Sequence, residues 1–184
     1  RPAANPQIVK KLAAGDLMGS KRLLLASTKY SYYMMYIICF PVRLLAHPLL
    51  KIWLGVVPDY TVIFLQIIVI QSLFQVFDTS FYTALYAKGR LRENALVKPI
   101  LAVKIANYYW RDVWDVFKPC LLVTMAALPV PVFLYYVIGV DSISHSIFIG
   151  FITVIIIILS IYWIGVDMLT KQKVWLYVKR RLKK

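Results

Sequence analysis

The sequence predicts an all-α integral membrane protein: about four transmembrane helices in two hairpins, with cytoplasmic amphipathic helices beside them. Three observations predict it. Of 184 residues, 61% are hydrophobic and 16% charged, against about 45–50% and about 25% in a soluble globular chain. Four stretches reach the roughly 20 mostly apolar residues that a bilayer core demands. The 22 Lys and Arg outnumber the 8 Asp and Glu, for a net charge of +14, and they lie in blocks between those stretches. A mean hydropathy of +0.70 rules out a disordered chain, which has too little apolar surface to bury.

The elements follow in order. Residues 1–29 read as an amphipathic cytoplasmic segment leading into the first span. Asn5-Pro6 is a helix start, with Asn as N-cap and Pro where its missing N–H costs nothing. From Pro6 to Ala14, Ile8, Leu12 and Val9 are expected on one side and Lys10 and Lys11 on the other. Gly15 stops this helix and Asp16 caps the next, so an in-plane helix feeds a transmembrane one. The opening RPAANPQIVKK has no apolar core after its basic residue, and the chain reads as the continuation of a longer protein.

The expected spans are Tyr30–Leu50 and Thr61–Ala87, forming a hairpin over residues 30–87, and Pro119–Val140 and Ile147–Leu169, forming another over 119–169. Within the first, Pro41 frees a carbonyl and permits a bend. The last contains IFIGFITVIIIILSIYWIGV without a charge; its β-branched runs favour strand in water, but in lipid the backbone must satisfy itself, which favours helix. Residues 88–118 form a basic cytoplasmic or interfacial segment, in which PILAVKIANYYW (99–110) is too short to cross. Residues 170–184 are a basic tail.

Six basic residues lie at or before Lys29, seven from Lys88 to Lys118 and seven from Lys171 onward, while the turns at 51–60 and 141–146 hold one and none. This alternation places both ends and the middle segment on the cytoplasmic side of the membrane. The charge therefore reads as topology, with a preference for anionic headgroups, and not as nucleic-acid binding. Trp53, Tyr60, Tyr162, Trp163 and Trp175 sit near span ends, where aromatic rings anchor at headgroup level. Cys39 and Cys120 have neither the spacing of a metal site nor a disulfide framework.

Polar groups inside an apolar span are expensive and mark function by default. Gln71, Gln75, Asp78 and Tyr82 follow one another at i, i+4, i+7 and i+11, within one narrow face of the second span. Arg43 and His47 lie in the outer half of the first. On the functional reading the stripe lines a hydrated cavity with Arg43 as an anion partner. On the structural reading the glutamines bridge helices, Asp78 meets a lysine such as Lys88, and Arg43 snorkels outward. No catalytic arrangement is present: GDLMGSKR lacks the spacing of a phosphate loop, and Asp112 and Asp115 in RDVWD read as an amphipathic turn. The chain is not expected to be an enzyme.

NPQIVKKLAAGD followed by SKRLLLASTKYSYY, the turn LKIWLGVVPDYTVIF, QSLF and the exit ALYAKGRLRENALVK, in this order, resemble the later part of bacterial polysaccharide flippases. These belong to the multidrug/oligosaccharidyl-lipid/polysaccharide exporter superfamily, and the resemblance covers about Asn5 to Lys98. It implies a partial bundle of a fold with roughly 12–14 helices around a cavity. The implied activity is movement of an undecaprenyl-diphosphate-linked oligosaccharide across the bacterial inner membrane, for O-antigen or another surface polysaccharide. It implies no cofactor and leaves coupling to H+ or Na+ open. Its partners would be membrane lipids, the lipid-linked oligosaccharide and polysaccharide polymerase or assembly proteins, with no nucleic acid. Against the family pattern, the first bundle is missing and the pair of spans expected after ALVKPILAV is reduced to KIANYYW, which reads as a truncation. The alternatives are an organic-cation antiporter of the same superfamily and a small helical membrane protein that transports nothing.

Overall fold

In this computed structural model, residues 4–87, 110–139, 143–168, 170–172 and 179 are described, without the side chains at 4–6, 9, 12, 80–87, 110 and 143. The described residues are helical and contain no strand. The helices are α1 (Ala4–Ala13), α2 (Leu17–Leu44), α3 (Ala46–Leu54), α4 (Thr61–Ala87), α5 (Trp110–Ala127), α6 (Pro129–Ile138) and α7 (Ile143–Ser160), the last continued by a π-helical turn, Ile161–Gly165. The chain divides into two compact units, Arg1–Lys118 and Pro119–Lys184, with the division inside α5 at Pro119.

In the first unit, α1 is short and sits on α2. It begins at Ala4, so Asn5 and Pro6 occupy its first turn and Asn5 is not the cap that the sequence suggests. Ile8 is buried, and the Ser20 hydroxyl of α2 donates to its carbonyl at 3.1 Å. Val9 and Leu12, expected on the same side, have side chains outside the described residues. Gly15 ends α1 at φ +79°, a left-handed conformation that costs glycine little. Asp16 then caps α2: its carboxylate accepts from the Gly19 N–H at 2.8 Å. A Cβ at Gly19 would meet the Asp16 carboxylate, which would have to turn aside from the cap.

The helix expected to run from the Asp16 cap into the first span is α2, which begins at Leu17, but the span Tyr30–Leu50 is not one straight helix: α2 gives way to α3 through a 75° bend at Leu45. The bend is not at Pro41, which lies inside α2. The physical cause is Pro48: in a continuing helix its ring would collide with the Leu44 carbonyl, and it has no N–H to bond there. Leu45 takes φ −101°, ψ 24° instead. α4 keeps both expected ends, Thr61 and Ala87, and packs along α2 through Tyr32–Phe77 ring contact at 5.3 Å. The buried face of α2 carries Leu24, Thr28, Tyr32, Tyr36 and Phe40.

The third expected span starts sooner than Pro119. Helix begins at Trp110, so the basic residues Arg111 and Lys118 are helical, and it breaks briefly at Leu128 before α6. The remainder of the expected segment 88–118, residues 88–109 including the stretch at 99–109, lies outside the described residues. In the second unit α6 packs on α7. Cys120, Val123 and Ala127 of α5 and Ile149, Thr153 and Ile157 of α7 are buried at helical spacing. α7 ends at Ser160 and its π turn at Gly165, short of the expected Leu169. Lys171 closes that end, donating to the Trp163 carbonyl at 2.9 Å, where a cation complements the helix dipole.

Among the described residues, three helical stretches are long and apolar enough to cross a membrane: Thr61–Thr79, Arg111–Ile138 and Ser144–Gly165. The bent pair α2–α3 makes a fourth if it counts as one span.

Candidate functional site

An open groove of about 410 Å³ runs between α2 and α4, within the first unit. Ser31, Met34, Met35 and Ile38 form one wall, Ser72, Gln75, Val76 and Thr79 the other. Each set is spaced i, i+3, i+4, i+7, the period that keeps residues on one helix face.

The chemistry of the lining is neutral. The Ser72 hydroxyl donates to the Ile68 carbonyl at 2.9 Å and the Thr79 hydroxyl to the Gln75 carbonyl at 2.8 Å. Back-bonding of this kind satisfies the proton of a hydroxyl in an apolar helix, and at Ser72 it leaves the oxygen lone pairs available. The Gln75 carboxamide makes no hydrogen bond to another described residue, and so offers two donors and an acceptor. Met34, Met35, Ile38 and Val76 supply an apolar floor and rim. The groove can therefore hold a hydroxyl- or amide-bearing group beside a hydrocarbon one, and it presents no fixed charge.

Of the residues singled out from the sequence, Gln75 lines the groove. Gln71 is exposed and Asp78 half-buried on an adjoining face of α4, and neither is a lining residue. Asp78 makes no ion pair with a described residue. Tyr82 belongs to α4, but its side chain lies outside the described residues, as does Lys88. Arg43 is exposed on the last turn of α2 and does not line the groove; its backbone carbonyl accepts from the Gln66 carboxamide at 3.3 Å. His47 is exposed on α3. The polar residues that sequence reasoning missed are Ser31, Ser72, Thr79 and Gln66. Their only signal is that they fall on α-helical positions facing a neighbour, and the neighbour is not visible in a single helix's period.

The interfacial aromatics Trp53, Tyr60, Tyr162 and Trp163 are all exposed, and Trp175 lies outside the described residues. Asp112 of RDVWD pairs with Lys21, and Asp115 is exposed. Both cysteines are free and buried. Among the described residues, no cluster of His, Cys, Asp or Glu could hold a metal ion.

What the described residues define is a set of long apolar helices in two units, the first of which carries a neutral, open groove between α2 and α4. Comparison with protein-family models, with curated proteins and with solved structures finds no match for this chain.

Proposed function

We propose that the chain is embedded in the bacterial inner membrane and belongs to a machine that moves lipid-linked oligosaccharide from one leaflet to the other. The observation that carries the reading is the α2–α4 groove: a neutral polar wall of Ser31, Ser72, Gln75 and Thr79, open sideways beside large apolar side chains. A lipid-linked sugar needs a wet path only for its head, while its tail stays in hydrocarbon. Hydroxyl oxygens and one carboxamide match the hydroxyls and acetamido groups of a sugar, and desolvating them costs far less than desolvating a charge. Exposure supports embedding: Ile63, Phe64, Ile67, Ile68 and Phe74 all lie open on α4, more contiguous apolar surface than a soluble monomer leaves to water. The resemblance of Asn5–Lys98 to polysaccharide flippases points to the same substrate class. At about 410 Å³ the groove takes part of such a head, so the rest of the path belongs to other helices.

A second reading, an organic-cation antiporter, is favoured by Asp78, half-buried and without an ion pair among the described residues. One assay separates them. In vesicles carrying the protein, fluorescent undecaprenyl-diphosphate oligosaccharide should change leaflet and organic cations should not accumulate. Cation accumulation without glycolipid movement would reverse the choice, and movement of neither would leave a helical membrane protein that transports nothing.

A further inference from the structure

At the end of the first unit where α1 meets α2, the charges have a specific arrangement. Lys11 sits 3.7 Å from Asp16, the residue that caps α2. One turn further along, Lys21 pairs with Asp112 of α5, which brings the start of α5 level with the start of α2. Those two pairs cancel. Lys10, Arg22 and Arg111 remain, all exposed and none with an ion pair to a described residue; Asp115, also exposed and unpaired, is one turn along α5 from Arg111. In the same first turn of α2, Leu17 and Met18 are 63% and 66% exposed. Cations beside protruding apolar side chains on a short in-plane helix and its successor fit the boundary between phosphates and acyl chains.

We infer that this end of the first unit is a docking surface for anionic phospholipid: Lys10, Arg22 and Arg111 hold headgroup phosphates while Leu17 and Met18 enter the acyl boundary. The Lys21–Asp112 pair sets the spacing between the cations of α2 and of α5. Among the described residues, these three side chains are the exposed cations grouped at this end of the first unit and left without an ion pair. The inference rests on the embedding proposed above but not on transport.

The test uses the full chain purified in neutral detergent and offered equal amounts of phosphatidylglycerol and phosphatidylcholine, with retained lipid counted by native mass spectrometry. Phosphatidylglycerol should be enriched, and less so at high salt. Each cation near such a surface is worth about a fivefold change in partitioning, so Lys10→Gln/Arg22→Gln/Arg111→Gln should lower the enrichment by about a hundredfold. Lys51→Gln, on α3, should leave it unchanged. If the triple variant loses helical signal, Lys10→Gln and Arg22→Gln are read singly, each expected to lower enrichment by about fivefold. Equal retention of the two lipids, an unchanged ratio in the folded variants, an equal loss in Lys51→Gln, or complete displacement of the lipid by a short oligonucleotide would each overturn the inference. A chain that stays monodisperse without detergent would instead overturn the embedding.

Discussion

The Gln66 carboxamide, on α4, donates a 3.3 Å hydrogen bond to the backbone carbonyl of Arg43, on the last turn of α2. The carbonyls of a helix's last turn have no intrahelical donor, so a side chain from a neighbour is a natural partner. Here the donor comes from the second turn of α4, across from the 75° bend. Gln66 thus fastens the N-terminal end of α4 to the point where α2 stops.

Replacing Gln66 by Leu removes that donor and should destabilise the chain by about 0.5–1.5 kcal/mol. A thermal unfolding series in detergent checks it. Gln66→Glu should be worse than Gln66→Leu, because a carboxylate facing a carbonyl oxygen has no proton to give.

The bend itself is testable through Pro48. Pro48→Ala restores the N–H that can reach the Leu44 carbonyl and removes the steric clash, so α2 and α3 should join into one gently curved helix. Spin labels at Met34 and Trp53, both exposed, report the change. Their separation should lengthen toward the ~28 Å rise of 19 helical residues. An unchanged distance would assign the bend to packing and not to proline.

Lys21 and Asp112 pair across α2 and α5 with 23% of each side chain exposed. That is drier than a surface pair, whose worth is about 0–1 kcal/mol, and wetter than a core pair. Loss of either partner should cost about 1–3 kcal/mol, and the exchange Lys21→Asp/Asp112→Lys should recover much of it. A double-mutant cycle on unfolding midpoints isolates the coupling.

These elements show what one sequence exposes and what it hides. The ends of α4 were readable because Pro58 and Asp59 precede it and its apolar run is unbroken. The break after α2 is harder to read: Pro41 permits a bend but stays inside the helix, while Pro48 acts four residues upstream of itself, on Leu44. The groove was legible only at Gln75. Selecting polar residues at i, i+4 and i+7 traces Gln71, Gln75 and Asp78, whereas the groove wall follows Ser72, Gln75, Val76 and Thr79. Which face of α4 meets α2 is a property of the pair, set by rings such as Tyr32 and Phe77, and no periodicity within α4 contains it.

For the groove, Gln75→Leu keeps the volume and removes the only carboxamide in the lining. On the proposed function, glycolipid movement should then fall by about tenfold, the order of one lost hydrogen bond to a buried polar partner, with insertion unchanged. Asp78→Asn should leave that movement within about twofold, since Asp78 is outside the groove. The opposite pattern, with Asp78→Asn disabling and Gln75→Leu silent, would move the site to the adjoining face of α4 and favour the cation reading.

Topology gives the last prediction, and the buried thiols make it practical. Cys39 and Cys120 are 5% and 1% exposed, so an added surface cysteine can be labelled without removing them. If the basic blocks stay on the cytoplasmic side, as their alternation with the apolar stretches leads one to expect, residues 1–29 lie inside and the turns 51–60 and 141–146 outside. Arg22→Cys should therefore react with a membrane-impermeant maleimide only after the cells are opened. Lys51→Cys and His145→Cys, both exposed positions, should react in intact spheroplasts. Labelling of Lys51→Cys but not His145→Cys would mean that the chain crosses an odd number of times between them, through 99–110 or by α5–α6 failing to span. Labelling of Arg22→Cys in intact spheroplasts would invert the whole arrangement, and with it the leaflet that the cations of α1 and α2 face.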